Sequence, residues 1–230
     1  MALQLDTLFE RDAAGRLRAV RSTAPVPVPR VFLGRTLDGN VWAVRRDLPR
    51  SLAAQLDALL ACEPVPVVLD GTPPQVEAEL RARLAEHAPA LLRWQGPAFR
   101  FPAESPASAA DPLRPALARA DAAGLARFAP LADDALDAIE PCVLALDADD
   151  RPVAACHAAR RGERACEAGV ETLPEARGRG HARAVVAAWA RAVRAGGREP
   201  LYSTSWDNLA SRGVARSLGL IPYGEDWHLT

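Results

Sequence analysis

The chain has 230 residues, 49% of them apolar and 25% charged, a balance that lets one large domain or two small ones bury a core without disulfides or metals. A formal net charge of -1 provides no field to draw in nucleic acid or an anionic membrane, and no apolar run approaches a membrane span. The start, Met1 to Asp6, lacks the basic-then-apolar pattern of a secretory signal, so a cytoplasmic protein with neither nucleic-acid nor membrane partner is expected.

Residues 22–30 alternate proline with valine or arginine, which forbids helix and implies an extended segment. Val31-Phe32-Leu33 and Val41-Trp42-Ala43-Val44 flank a turn at Asp38-Gly39-Asn40, a hairpin pattern. Ser51 is placed to cap a helix to about Ala61, with Leu52, Leu56, Leu59 and Leu60 on one face. Pro73-Pro74 opens a second helix striped by Val76, Leu80 and Leu84. Leu91–Trp94 and Phe99–Phe101 read as two strands around Gly96-Pro97. Residues 102–115, rich in proline, serine and alanine, read as a connector.

The second half has a clearer order. A helix is expected over 117–139, then strands at 141–147, 152–159 and 164–172, the last two joined by a turn at Arg160–Glu163. The next helix spans about 178–195, with Ala182, Val185, Val186, Trp189 and Val193 as its buried stripe, Arg183, Arg191 and Arg194 outside, and Gly196-Gly197 as its stop. A strand at 201–204, a helix at about 208–218 capped by Asp207, and a strand near 220–223 complete the chain.

Cys62, Cys142, Cys156 and Cys166 include no C-x-x-C pair and read as reduced structural thiols. All 28 basic residues are arginine, which reads as a habit of the source genome more than as phosphate recognition. His157, placed to face Cys166 across the hairpin, and His181 are too few ligands for zinc, so no metal is expected. Trp94, Trp189, Trp206 and Trp227 read as packing residues.

Chemistry concentrates in Val170-Glu171-Thr172-Leu173-Pro174-Glu175-Ala176-Arg177-Gly178-Arg179-Gly180-His181-Ala182. A strand ends, a short turn follows, and glycines open an amphipathic helix. Backbone N–H groups then converge at the positive end of the helix dipole, where a phosphate or pyrophosphate fits; a bare strand-to-helix turn is the plain alternative. Neither a Walker loop nor G-x-G-x-x-G is present.

Arg177-Gly178-Arg179-Gly180-His181-Ala182 resembles the signature Q/R-x-x-G-x-G/A of the GNAT superfamily of acetyl-CoA-dependent N-acyltransferases, with Leu173–Arg177 as its usual lead-in. Asp207-Asn208-Leu209-Ala210-Ser211, followed by Ser217-Leu218-Gly219-Leu220, resembles that family's later helix, with Asn near its start and Leu-Gly-Phe at its end. The resemblance covers residues 142–230. It implies an α/β (α+β) GNAT fold, a mixed and mostly antiparallel sheet flanked by helices, over 106–230. The smaller α/β segment 1–105 lies outside it and covers the acceptor cleft, mediates homodimerisation, or forms a degenerate second lobe. The function implied is acetyl transfer from acetyl-CoA, as co-substrate, to a primary amine of a small molecule or peptide. A catalytically weak acyl-CoA-binding sensor is the alternative.

The same resemblance assigns backbone groups of Val170 and Thr172 to the pantetheine arm and thioester. It gives Arg177, Gly178, Arg179, Gly180, His181 and Ala182 to the pyrophosphate, and Asn208 to the pantetheine or acetyl region, a role compatible with helix capping. Glu167 and Glu171 share a strand face, so either can bind a cationic amine and take its proton, with Glu171 preferred as nearer the thioester. Where the family often carries a tyrosine to protonate the leaving thiolate, this chain has Ala215. Ser211 is the expected replacement, with Tyr202, Ser205 and Tyr223 as outside candidates.

Overall fold

The computed structural model describes residues 1–22, 25–88, 92–103, 128 and 139–230, and the backbone of 113–115. The expected helix over 117–139 and most of the expected connector lie outside them. The first half opens with five elements. These are α1 (Ala2–Leu8), β1 (Phe9–Arg11), β2 (Leu17–Val20), and the hairpin β3 (Val31–Thr36) and β4 (Gly39–Val44). Two helices follow, α2 (Arg50–Ala61) and α3 (Glu77–His87), then β5 (Arg93–Arg100) and β6 (Leu113–Pro115). The second half runs β7 (Cys142–Leu146), β8 (Pro152–Arg161), β9 (Ala165–Thr172), a 3₁₀ turn (Pro174–Ala176), α4 (His181–Ala195), β10 (Glu199–Ser203), α5 (Leu209–Ser217) and β11 (Ile221–Leu229).

A nine-stranded sheet runs through both halves in the order β4-β3-β11-β5-β10-β9-β8-β7-β6, and β1 and β2 form a separate hairpin. The strand from the first half, β5, sits between β10 and β11, antiparallel to both. Among the described strands only β9 and β10 pair in parallel. The order of elements read for 142–230 is the order found.

Alternation along β11 separates the two faces. Trp227 and Leu229 are buried with Leu56 and Leu60 of α2 and Leu80 and Leu84 of α3. On the sheet's α4 side, Val185, Val186, Trp189 and Val193 are buried against β7–β10, as the stripe required. Each such aliphatic side chain removed from water contributes about 1.5–3 kcal/mol. On the opposite face, α1 lies across β8 and β9, and Leu5 and Phe9 pack with Phe32.

Several expectations shift locally. Helix α2 is capped by Pro49 without a side-chain bond, not by Ser51, and α5 is capped by Asn208 rather than Asp207. Helix α4 begins at His181, because Gly178 and Gly180 hold positive φ values of 76° and 87° that a helix cannot use. Residues 113–115 of the expected connector pair with β7. The two strands expected around Gly96-Pro97 are one. The Pro97 carbonyl accepts from Thr204 N–H at 3.3 Å, so its donorless nitrogen faces the irregular continuation of β10, where no regular ladder bond is lost. A Cβ at Gly96 would come within 1.7 Å of the Thr204 carbonyl, so only glycine admits that crossing. Among the described residues no helix is long and apolar enough to cross a membrane.

Candidate functional site

The parallel pairing of β9 and β10 covers only Ala165–Glu167 against Glu199–Leu201. The Glu199 N–H donates to the Arg164 carbonyl at 2.9 Å. Main-chain groups therefore point toward β10 at every second residue from Arg164, which includes Ala168, Val170 and Thr172. Past Glu167 the two strands part. Backbone groups of Ala168 and Val170 face the resulting wedge without a strand partner, while the Thr172 carbonyl accepts from Arg177 Nε at 3.2 Å.

At the far end of β9, the turn Pro174–Ala176 delivers the chain to the loop that opens α4. Arg177, Gly178, Arg179 and Gly180 are exposed, and His181 and Ala182 are half-buried. The first intrahelical backbone bond runs from Ala184 N–H to the Gly180 carbonyl. The N–H groups of His181, Ala182 and Arg183 precede that bond and have no helical acceptor, at the positive end of a 15-residue helix. Cβ atoms at Gly178 or Gly180 would meet nothing within 4 Å, so the concavity is open. Two buried polar atoms beside it, Thr172 Oγ1 and His181 Nδ1, also lack partners. These features fit an elongated, anion-bearing ligand whose phosphate sits on the loop and whose arm enters the wedge.

Beyond the wedge, Asn208 Oδ1 accepts from Ser211 N–H at 3.0 Å, leaving its amide NH₂ uncommitted. Ser211 Oγ lies 2.7 Å from the Tyr202 hydroxyl, which is buried in β10. Burial pushes the Tyr202 phenol up to about 12, with Ser211 pulling against it. Ser211, singled out from its spacing, is therefore joined to a tyrosine ranked lower in the sequence.

The two carboxylates of β9 part company. Glu171 is exposed, and partial burial raises its affinity for a proton somewhat. Glu167 is only 4% exposed and neither of its oxygens has a well-formed hydrogen bond. Desolvation drives it from 4.5 to about 7, partly offset by the nearby Ser203, too poorly aligned to bond fully, and by Arg160.

Glu167 lies on the floor of a cavity of about 320 Å³ beside the point where the strands part, with Arg160, Ser203, Asp226 and His228. Asp226 is 2% exposed; its Oδ2 accepts from Gln4 Nε2 at 2.9 Å and its Oδ1 has no partner. Gln4 Oε1 accepts in turn from the Tyr223 hydroxyl at 2.6 Å. Burial, then the Glu167 charge, raises Asp226 well above the usual carboxylate range. Trp94 stacks on His228 with ring centroids 5.2 Å apart. The roof is apolar: Leu8, Phe9, Val20, Val26, Pro27 and Pro29.

His157 pairs with Gly169, not Cys166, and its imidazole fills the space of the missing Gly169 side chain. Burial and Arg160 lower it to about 4. Asp226, His228 and Trp94 were not singled out in the sequence as site residues. Alternation in Glu225-Asp226-Trp227-His228-Leu229, two polar side chains between apolar ones on a strand, carried that signal.

Residues 154–228 match the family model described as FR47-like protein. Among solved structures, the GCN5-related N-acetyltransferase-like protein from Streptococcus suis is 15% identical, with a TM-score of 0.52 over 88% of this chain and 85% of that one. An acetyltransferase of the GNAT family from Colwellia psychrerythraea is 12% identical, with a TM-score of 0.53 over 91% of each. No curated protein matches the chain. The protein has the GNAT fold, with its mostly antiparallel sheet between helices.

Proposed function

We propose that the protein is an N-acetyltransferase that moves the acetyl group of acetyl-CoA to a primary amine. One observation supports this reading: β9 and β10 part between the open, glycine-lined start of α4, whose first N–H groups have no helical acceptor, and a buried carboxylate without a well-formed hydrogen bond. Acetyl-CoA would supply an activated acyl thioester, held at its pyrophosphate by Gly178–Ala182 and along its arm by backbone groups of Val170.

The residues of this chain then divide the proton work. Glu167, ionised as pH rises above about 7, takes the proton that keeps the amine from attacking. As the amine nitrogen bonds to the acyl carbon and the carbon–sulfur bond breaks, the Ser211–Tyr202 pair gives a proton to the leaving sulfur and is restored by the second proton that the nitrogen sheds on becoming an amide. Glu167 serves better than Glu171 because it borders the enclosed cavity, whereas Glu171 faces solvent. The segment 1–105 completes the acceptor site through α1, the roof and β5.

Calorimetry with acetyl-CoA on the wild type, Gly180→Ala and Gly180→Glu tests this. Both variants strain a positive φ, and only the second puts a carboxylate in the cradle. The expected result is binding by the wild type, modest weakening in Gly180→Ala and a loss of about a hundredfold or more in Gly180→Glu. An absence of binding by the folded wild type would overturn the reading.

A further inference from the structure

Resting on the acetyl-transfer reading only for what happens after binding, we propose that the cavity beside Glu167 selects a compact primary amine with one positive charge and an apolar body. Its ammonium sits between Glu167 and Asp226, and its carbon skeleton lies against Trp94 and the roof.

The charge pattern argues for a single cation. Oδ1 of Asp226 is buried without a partner and neither buried oxygen of Glu167 has a well-formed hydrogen bond, Ser203 being its one near contact, which leaves three acceptors for an ammonium that brings three donors. The two carboxylates feel each other's charge, and a cation between them relieves both that repulsion and the cost of burial. Arg160 is the one cationic side chain among the described residues lining the cavity, and burial holds His228 neutral near about 4. With both carboxylates ionised, Arg160 leaves a single net negative charge, which one ammonium cancels.

The walls exclude other amines. A second cationic centre, as in polyamines or aminoglycosides, would rest on Leu8, Phe9, Val20 or the prolines, where it would lose its hydration and gain no acceptor. The carboxylate of a free amino acid would need an uncommitted cation. Arg160 already donates to the Ala159 carbonyl at 2.6 Å and compensates Glu167. At about 320 Å³ the space lies at the small end of ligand sites, below what a peptide segment needs. The stacked Trp94–His228 pair offers a flat wall that suits an aromatic or short branched skeleton.

The test uses the full chain with 2-phenylethylamine, its neutral counterpart 2-phenylethanol, spermidine and phenylalanine. Binding is followed by calorimetry and by tryptophan fluorescence, with Trp94→Phe identifying the responding ring. 2-Phenylethylamine should bind at least about tenfold more tightly than each of the other three, and Asp226→Asn and Glu167→Gln should each weaken it about tenfold. Comparable or tighter binding of spermidine or phenylalanine, no binding of 2-phenylethylamine, or unchanged affinity in both folded variants would overturn the proposal. The two readings fail separately. Binding of 2-phenylethylamine without any acetyl-CoA affinity would sink acetyl transfer and leave this site standing, whereas preferential acetylation of spermidine would do the reverse.

Discussion

The loop that opens α4 and the cavity around Glu167 lie at opposite ends of one strand, and they are built in opposite ways. The loop is backbone: its glycines hold positive φ, the first N–H groups of the helix it opens have no helical acceptor, and its surroundings are solvent. The cavity is side chains from elements far apart in the chain, α1, β1, β2, the 25–30 segment, β5, β8, β9, β10 and β11, and its two carboxylates are cut off from water. A phosphate is bound by many weak, fixed dipoles that work at a surface. A proton is moved by a single group whose affinity has to be tuned, and burial is what tunes it. About 17 Å of β9 separates Glu167 from Thr172, which would keep the two proposed tasks apart.

The largest expected effect breaks the cavity end alone. Glu167→Gln should lower kcat roughly 10²–10⁴-fold while leaving acetyl-CoA affinity within about twofold, read by steady-state kinetics and calorimetry. The pH profile gives the sign. Glu167 is protonated and inactive as a base below about 7, so kcat/KM should climb with pH and level off above it. Glu167→Gln should flatten that limb. The groups facing Glu167 are Arg160, Ser203 and Asp226, with Tyr202 and Tyr223 also coupled to it; burial raises Asp226 in the same direction, so Asp226→Asn, which should keep the Glu167 limb, tells the two carboxylates apart.

Stability should show the cost of that tuning. Glu167 titrates at 4.5 in the unfolded chain and about 7 in the fold, so between those values the folded state holds more protons. Unfolding free energy therefore falls as pH rises through this window, by about 3 kcal/mol in all, and flattens above it. Glu167→Gln should be relatively more stable at pH 8 than at pH 5, a gain measurable by urea denaturation at the two pH values. An equal difference at both would mean the carboxylate is not desolvated.

A smaller effect belongs to the proton donor. Tyr202→Phe and Ser211→Ala should each reduce kcat about tenfold with KM nearly unchanged, and the double variant should lose little more, because the two hydroxyls act as one unit. Losses that multiply would separate them.

This contrast also explains what the sequence disclosed. The cradle was readable because all its parts fall within residues 170–182, where a strand end, two glycines and a 3.6-residue stripe coincide. Asn208 was readable for the same reason, although capping by Asp207 was the expectation. The cavity was not, since Gln4, Trp94, Glu167 and Asp226 meet only through the sheet order, and the insertion of β5 between β10 and β11 is set by long-range pairing that no local pattern encodes. Nor could spacing rank Glu167 against Glu171. Both lie on one face, and what separates them is a roof supplied by the first thirty residues.

The smallest expected effect sharpens the comparison most. Glu171 pairs with Ala155, lies four residues from Glu167 on the same face, and is exposed. Four residues of strand span about 13 Å, too far for direct proton exchange between the two carboxylates. Solvent already competes for anything Glu171 could bind, and screening weakens its pull on a distant ammonium. Glu171→Gln should therefore change kcat and KM by less than about twofold at any pH, in the assay where Glu167→Gln is nearly inactive. A loss in Glu171→Gln matching that of Glu167→Gln would move the reacting centre along β9 to the open end of the wedge. Acyl donor and acceptor would then meet beside the cradle, and the buried cavity would lose its claim to the amine.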